Sequence, residues 1–152
     1  MKINVLAIGK IKDKYFFDAV KEYLQRASRF ADVVVTELAE APFTKSPEEQ
    51  RRIESALLLS KAKGCIVAMD ARGTSLSSEE LAAFIDKKGV GGTSEISFLI
   101  GGSNGLAPEV LARAEPTISF GRATFPHQLF RVMLCEQIYR ALTINAGLPY
   151  HK

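Results

Sequence analysis

A chain of 152 residues is the usual size of one domain, and 47% apolar with 24% charged residues is an ordinary globular composition. The net charge of +3 is compatible with RNA binding but does not indicate it. The amino-terminal residues predict no signal peptide, and the sequence has no apolar run near the ~18 residues of a membrane span and no metal-binding motif. We therefore expect one cytoplasmic domain over residues 1–152, with no metal, no membrane contact, and reduced, buried, structural cysteines at Cys65 and Cys135.

The first half of the chain alternates between strand-like and helix-like apolar spacing. The predicted elements are a strand over 3–8, a helix capped by Asp13 and running to about Arg29, a strand over 33–38, a loop over 39–47, and a charged helix that begins at Ser46-Pro47 and ends at Gly64.

The second half continues the alternation. The predicted elements are a strand over 65–70, a helix opened by residues 77–80, a strand over 96–100, a short helix over about 108–114, a strand over 117–120, and a long helix from Pro126 to about Ala146. Strands that alternate with helices predict an α/β fold with a mostly parallel sheet and helices on both faces.

The stretch ISFLIGGSNGLAPEVL, residues 96–111, has the pattern of a strand, a glycine loop and a helix. In open α/β sheets this corner, at the carboxyl end of a strand, is where ligands bind. No Lys follows Gly105 as a P-loop requires, and the order Gly101-Gly102-Ser103-Asn104-Gly105 does not match the dinucleotide fingerprint. The loop therefore indicates a nucleotide-like cofactor without identifying it, and a plain tight turn remains the alternative.

The last long helix carries more apolar residues than one sheet face requires. Residues 127–144 include 11 apolar positions of 18, whereas a helix that covers one face of a sheet needs a narrower stripe. The excess predicts a second burial surface. A homodimer would supply one, and a central helix buried within the monomer is the alternative.

Cations gather at the start of this helix, where the macrodipole disfavours them. His127 and Arg131 are one turn apart, Arg122 stands just upstream, and the first turn has no acidic residue. The grouping indicates an anion site, for example for RNA phosphate. The alternative is that all three side chains point into solvent.

The chain ends in NAGLPYHK. Gly147 can cap the helix, and Pro149 stiffens the residues after it. Tyr150, His151 and Lys152 then offer a stacking ring, a base near neutral pH and a phosphate contact. On its own, such a tail could equally be a frayed terminus.

Five stretches, in order, carry a resemblance to a known family. They are AIGKIKDKY, AMDARGTSLSSEELA, FLIGGSNGL, ISFGRATFPHQLFRVMLCEQIYRA and PYHK. They span essentially the whole chain, and the glycine loop, the T-x-P-H-x-x-x-R run and the tail are specific in combination. The sequence resembles the ribosomal RNA large subunit methyltransferase H family of the SPOUT superfamily.

The resemblance implies a trefoil-knotted carboxyl half whose three loops bind S-adenosyl-L-methionine. The implied cofactor-binding residues are Met69, Asp70, Gly101, Gly102, Gly105, Gly121, Arg122, Ala123, Thr124, Phe125 and Pro126. A branched side chain at Gly102 is then expected to occupy the ligand space. The family pattern often has Lys or a neutral residue and then Met where this chain has Arg122-Ala123. This departure weakens any role assigned to the Arg122 side chain, but it leaves the implied role of the loop backbone unchanged.

The resemblance also implies a reaction, which is methyl transfer to N3 of a pseudouridine in 23S rRNA within assembled ribosomes. His151 is then the first candidate for base or orienter, and Tyr150 would stack on the acceptor base. Arg131 and His127 would hold phosphate or the flipped nucleotide. A related SPOUT activity, such as ribose 2′-O-methylation of tRNA, and a non-catalytic RNA-binding module remain alternatives.

Overall fold

Ten elements make up the fold, and the computed structural model describes every residue from Met1 to Lys152. The strands are β1 (Lys2–Ile8), β2 (Asp32–Leu38), β3 (Cys65–Ser75), β4 (Glu95–Ile100) and β5 (Thr117–Ser119). The helices are α1 (Lys14–Ala27), α2 (Pro47–Lys61), α3 (Ser78–Val90), α4 (Pro108–Arg113) and α5 (His127–Asn145). Each lies within a few residues of its predicted range, except that β3 is longer. No helix is long and apolar enough to cross a membrane.

The five strands form one sheet in the order β2-β1-β4-β3-β5, and every neighbouring pair is parallel. One core cluster joins the sheet to α1, α3 and α5, and a second joins the opposite face to α2 and α4. The predicted α/β class, with helices on both faces, is confirmed. Because all strands run the same way, their carboxyl ends meet at one edge of the sheet. The trefoil knot and the single-domain boundary stay predictions.

Helix starts follow the predicted signals, with one correction. The Ser46 hydroxyl accepts from the Glu49 amide, and Ser77 forms a full capping box with Glu80. Asp13 stands at the cap position of α1, but its side chain makes no capping hydrogen bond. The Asp13 amide instead donates to Oε1 of Gln128, at 3.2 Å. The start of α1 is therefore held by α5, not by a local cap.

Strand β3 does not end at Asp70 as predicted. A bulge interrupts it there, and its pairing with β5 then resumes. Met69 and Thr74 both pair with Ile118 of β5, so residues 70–73 bulge out of the ladder. A Cβ at Gly73 would lie 2.6 Å from the carbonyl oxygen of Thr117, which explains the glycine. The bulge projects Asp70 and its neighbours from the carboxyl edge of the sheet.

The cysteines differ in their surroundings. Cys135 is buried in α5, and burial raises the pKa of its thiol to about 12. The sequence predicts burial for Cys65 as well, but this residue is only half-buried, and its Sγ contacts the carbonyl oxygen of Glu115 at 3.2 Å. Both are free thiols, as predicted.

Arg131 is buried, contrary to its predicted role as a phosphate contact. Its side chain is 1% exposed, and its guanidinium donates to the carbonyl oxygens of Ile8 and Gly9 and to the Glu37 carboxylate. The cation therefore neither points into solvent nor forms part of an open anion site. Glu37, on β2, supplies the negative charge that the first turn of α5 lacks.

The Arg131→Met variant tests how much this guanidinium contributes to stability. Methionine removes the buried donor to the Ile8 and Gly9 carbonyls and the cation that faces Glu37, so we expect a loss of about 3 kcal/mol in the free energy of unfolding. The control is Glu37→Gln, which should cost at most about 1 kcal/mol because this carboxylate is more than a third exposed. Urea unfolding measures both. Equal losses would show that the Arg131–Glu37 ion pair, and not the carbonyl hydrogen bonds, holds α5.

Candidate active site

A pocket of about 290 Å³ opens at the carboxyl edge of the sheet, between the β3 bulge, the glycine loop after β4 and the segment after β5. Nine of the predicted cofactor residues line it: Met69, Asp70, Gly101, Gly102, Gly105, Gly121, Ala123, Thr124 and Phe125. Arg122 and Pro126 are exposed and do not line it. The three segments named from the sequence thus converge on one cavity.

Three glycines put bare backbone at the cavity. A Cβ at Gly101 would lie 2.8 Å from the backbone of Gly105, so two segments of the loop touch there. Gly105 has a φ of +77° and open space where a side chain would stand. Gly121, on the facing segment, has a φ of +111° and equally open space. Bare backbone therefore lines the cavity from two sides.

The position that a side chain would take at Gly102 faces α2, although the residue itself lines the pocket. An added Cβ would meet Oε1 of Glu54 at 2.7 Å, and that oxygen is buried without a hydrogen-bond partner. A larger residue here would therefore press on Glu54 before it filled the ligand space, which corrects the expectation from the sequence. The local sequence gives no signal for this contact, because Glu54 lies on a distant helix.

Polar side chains of α2 hold the glycine loop, the segment after it and the loop after β2. Oε1 of Gln50 accepts from the Asn104 side-chain amide at 2.7 Å, and the Ser55 hydroxyl accepts from the Ala107 backbone amide at 2.9 Å. Oε2 of Glu54 accepts from the Ala41 amide at 2.9 Å. All three side chains are buried, although the sequence of α2 is that of a charged surface helix. Gln50 and Ser55 therefore make the glycine loop a fixed wall of the pocket.

Apolar side chains complete the pocket. Phe120 and Phe125, in the segment after β5, both line it. Phe130, on α5, lines it as well, and its ring centroid lies 5.4 Å from that of Phe120. The remaining apolar lining comes from Ile100, Leu106 and Ile118. A cavity walled by apolar groups and bare backbone suits a flat, largely neutral ring system.

Asp70 is held by its own neighbour. The backbone amide and the guanidinium of Arg72 donate to its carboxylate, at 2.7 to 2.9 Å. These hydrogen bonds hold the pKa of Asp70 below its usual value. Asp70 therefore presents an ionised carboxylate whose oxygens are already partly used, and its side chain has limited capacity for a further ligand.

His127 is exposed and lines the pocket, as the first residue of α5. Its neighbour Gln128, which the sequence does not single out, accepts from the amides of both Lys12 and Asp13. The loop after β1 therefore lies beside the pocket mouth. The local sequence gives no signal for this, because the partners are more than a hundred residues apart.

The tail is docked and not frayed. The Tyr150 hydroxyl donates to Glu136 at 2.9 Å, and its ring packs edge-on against Tyr139. Burial and the Glu136 carboxylate raise the pKa of Tyr150 to about 12, which keeps the phenol neutral. The Arg140 guanidinium lies 4.7 Å from the ring centroid.

Both ring nitrogens of His151 are engaged. Nδ1 lies 3.2 Å from Arg140, and Nε2 lies 2.8 Å from Glu79. Because arginine only donates, Nδ1 accepts and Nε2 carries the proton. This hydrogen bond lowers the pKa of Glu79. His151 can accept a proton from a substrate only after it releases Arg140.

The tail and the pocket are separate within one chain. Glu136, which binds Tyr150, lies nine residues after His127 on α5, a rise of about 14 Å. A second cavity of about 560 Å³ connects the two regions, since it shares Phe120 and Gly121 with the pocket and includes Glu136. The predicted catalytic set is therefore divided: His127 is at the pocket, Tyr150 and His151 are in the tail docked against the far part of α5, and Arg131 is inside the core.

A parallel α/β sheet with a glycine-walled cavity at its carboxyl edge defines an enzyme of the class that binds a nucleotide-like cofactor. Residues 1–151 match the family model described as a predicted SPOUT methyltransferase. The protein of Carboxydothermus hydrogenoformans named ribosomal RNA large subunit methyltransferase H is 46% identical, and the alignment covers 100% of both chains. Proteins of the same name from Clostridium acetobutylicum (47%) and Lactiplantibacillus plantarum (46%) also match over the full length of both chains. The chain belongs to this family of SPOUT methyltransferases.

Solved structures share the fold at low sequence identity. A probable methylase family protein from Haemophilus influenzae has a TM-score of 0.57 at 11% identity, and the match covers 99% of this chain and 70% of that one. A methylase family protein from Neisseria gonorrhoeae has a TM-score of 0.50 at 12% identity, with 90% and 81% covered. The predicted family and enzyme class are confirmed by the family model and the full-length relatives.

The contact between Gly102 and Glu54 yields a double-mutant test. We expect Gly102→Ala to destabilise the loop and weaken cofactor binding, because the new Cβ would meet the buried Oε1 of Glu54. In a Glu54→Ala background the same change should cost at least about 1 kcal/mol less. Unfolding free energies and calorimetric cofactor affinities measure both effects.

Gly105→Ala is the matched control. Its cost arises from the positive φ alone, about 1 kcal/mol, and should be the same in both backgrounds because no atom lies near its Cβ. If the cost of Gly102→Ala were also independent of Glu54, the contact would not be what requires this glycine.

Proposed function

We propose that this protein, acting as a single cytoplasmic domain and as a homodimer, transfers a methyl group from S-adenosylmethionine to N3 of a pseudouridine in 23S rRNA of assembled ribosomes. The observation that carries the proposal is the pocket itself, on which the three segments implied by the family resemblance converge. The names of the full-length relatives support a large-subunit rRNA substrate.

The pocket residues fit the cofactor. Its volume of about 290 Å³ is near the lower end for ligand cavities, roughly 300–1,000 Å³. Backbone groups around Gly101 and Gly121 can bind the adenine edge, while Met69, Phe120 and Phe125 cover its faces. The bound cofactor supplies an already activated methyl group on a positively charged sulfur.

The protein must then bring the acceptor nitrogen into line with the methyl group and remove its proton. Positioning can contribute several kcal/mol, and a placed base typically adds ~10²–10⁴-fold. His127 is the histidine at the pocket and can contact phosphate or the flipped nucleotide. We retain His151 as the first candidate for the base, with Tyr150 stacking on the acceptor. This role requires that His151 releases Arg140, and that either a movement of the tail or a dimer brings tail and pocket together.

Labelled cofactor tests the activity directly. Incubation with 70S ribosomes, with separated subunits and with free rRNA, followed by mapping of the methyl group, should give labelled 23S rRNA only from assembled ribosomes. A methyl on ribose would favour a related SPOUT activity. Cofactor binding without transfer to any RNA would favour a non-catalytic module.

Removal of residues 150–152 separates the RNA half of the site from the cofactor half. Cofactor affinity should stay within a few-fold, because none of the three residues lines the pocket. Methyl transfer should fall by ~10² or more if His151 is the base and Tyr150 stacks. The deletion also removes the docked ring of Tyr150, so the control is His151→Ala, which keeps that ring and should show part of the same loss. Full activity of the truncated protein would move the catalytic assignment to His127.

The predicted dimer through α5 is tested with a residue outside the core of the monomer. Leu134 is fully buried, so Leu134→Glu would unfold the chain and could not report on assembly. Met133 is half-buried and lines the second cavity. Met133→Glu should give a folded monomer by light scattering and circular dichroism, with reduced methyl transfer. A wild-type monomer at micromolar concentration would contradict the dimer.

A further inference from the structure

The exposed aromatic side chains of this protein all lie in the segments that follow β1 and β2, two neighbouring strands of the sheet. Tyr15, Phe17 and Phe43 are the only exposed tyrosine or phenylalanine residues, and they are 67%, 55% and 83% exposed. Tyr15 and Phe17 follow the carboxyl end of β1, and Phe43 follows the carboxyl end of β2. Exposed large rings in the segments after these two adjacent strands, with none elsewhere in the chain, indicate an interaction surface at this edge of the sheet.

Exposed lysines stand among these rings. Lys10 and Lys12 lie in the loop after β1, and Lys45 lies two residues after Phe43. None of the three forms an ion pair, whereas Lys14 is paired with Asp18. We call Lys10, Lys12, Tyr15, Phe17, Phe43 and Lys45 the basic–aromatic surface.

The backbone under this surface is fixed. The amide of Ile11 donates to Glu37, and the amides of Lys12 and Asp13 donate to Gln128. On the other side, the carbonyl oxygen of Pro42 accepts from the Lys45 amide and from the Gln50 side chain. The rings and lysines are therefore presented from held loops and from the start of α1, which reduces the entropy lost on binding.

Both segments adjoin the cofactor pocket. Gln128, which holds Lys12, is next to His127 on the pocket wall. Gln50, which holds the loop of Phe43, also binds Asn104 of the glycine loop. A partner seated on the basic–aromatic surface would therefore reach the pocket mouth.

We propose that the basic–aromatic surface binds rRNA that flanks the acceptor nucleotide, with Lys10, Lys12 and Lys45 on phosphates and Tyr15, Phe17 or Phe43 stacked on unpaired bases. Cationic side chains that alternate with exposed rings are the combination that binds single-stranded RNA without base-specific contacts. The proposal rests on the proposed function for the identity of the RNA. It adds a docking site outside the cofactor and acceptor positions.

The first test compares two triple variants on 70S ribosomes. Lys10→Gln, Lys12→Gln and Lys45→Gln neutralise the surface, and Lys61→Gln, Lys63→Gln and Lys87→Gln remove the same charge from lysines at the amino edge of the sheet. The surface triple should weaken binding and reduce the slope of log affinity against log salt by about 0.7–0.9 for each phosphate that is no longer neutralised. The control triple should match the wild type.

A ring variant makes an independent test. Phe43→Ala should weaken ribosome binding roughly fivefold to a hundredfold if the ring stacks on a base. Val90→Ala is the control, since Val90 is equally exposed, at 83%, and lies at the amino edge. Calorimetric cofactor affinity should be unchanged in every variant.

Photo-cross-linking identifies the partner. With 4-azidophenylalanine in place of Phe43, irradiation with purified 70S ribosomes should label 23S rRNA, and a cross-link to a ribosomal protein alone would overturn the RNA assignment. Equal losses in the two lysine triples, or none in either, would also overturn the proposal. Methyl transfer by the wild type is measured in parallel. If the wild type transfers methyl groups but the surface variants bind ribosomes normally, only the proposed docking surface is contradicted. If the surface variants lose binding but the wild type transfers no methyl group, only the proposed function is contradicted.

Discussion

A single buried guanidinium fixes the geometry on which the site depends. Arg131 joins α5 to the last carbonyls at the end of β1 and to Glu37 on β2, so it ties the helix to two strands at the carboxyl edge. Burial lowers the pKa of this group and Glu37 opposes that effect, but an arginine remains charged in either case. An enclosed cation of this kind tolerates little displacement, because any shift would leave its carbonyl partners or its charge uncompensated. The start of α5 is therefore held in place.

Two parts of the site follow from that attachment. His127 and Phe130, about one turn or less from Arg131, form the wall of the pocket on the α5 side. Glu37 also accepts from the Ile11 amide, so the same carboxylate holds the loop after β1. The helix, the pocket wall on its side and the loop that carries Lys10 and Lys12 are thus positioned by one connected set of hydrogen bonds. The glycine loop is held separately, by the polar side chains of α2.

The helices and strands can be predicted from the sequence because their signals are local. Apolar periodicity, Ser46, Ser77 and the glycine after α5 lie within a few residues of what they specify. The cofactor segments can be predicted only from several motifs in combination. The features that local patterns miss depend on distant residues. The first turn of α5 has no acidic residue of its own, and the compensating Glu37 lies on another element. The docked tail likewise depends on Glu79 and Glu136, which a rule about terminal residues does not consider.

Strand order explains why chemistry and docking can share one edge. Because β4 lies between β1 and β3, the glycine loop after β4 has the loop after β1 on one side and the β3 bulge on the other. The cofactor needs the glycine loop, the bulge and the segment after β5, whereas the loops after β1 and β2 are left free of it. Those two loops and the start of α1 lie on the side of the pocket away from β5, and they carry the exposed rings and unpaired lysines. The strand order β2-β1-β4-β3-β5 therefore places the small-molecule pocket toward β5 and the free loops toward β2, both at the same edge of the sheet. This separation leaves room for a large polyanion beside the pocket.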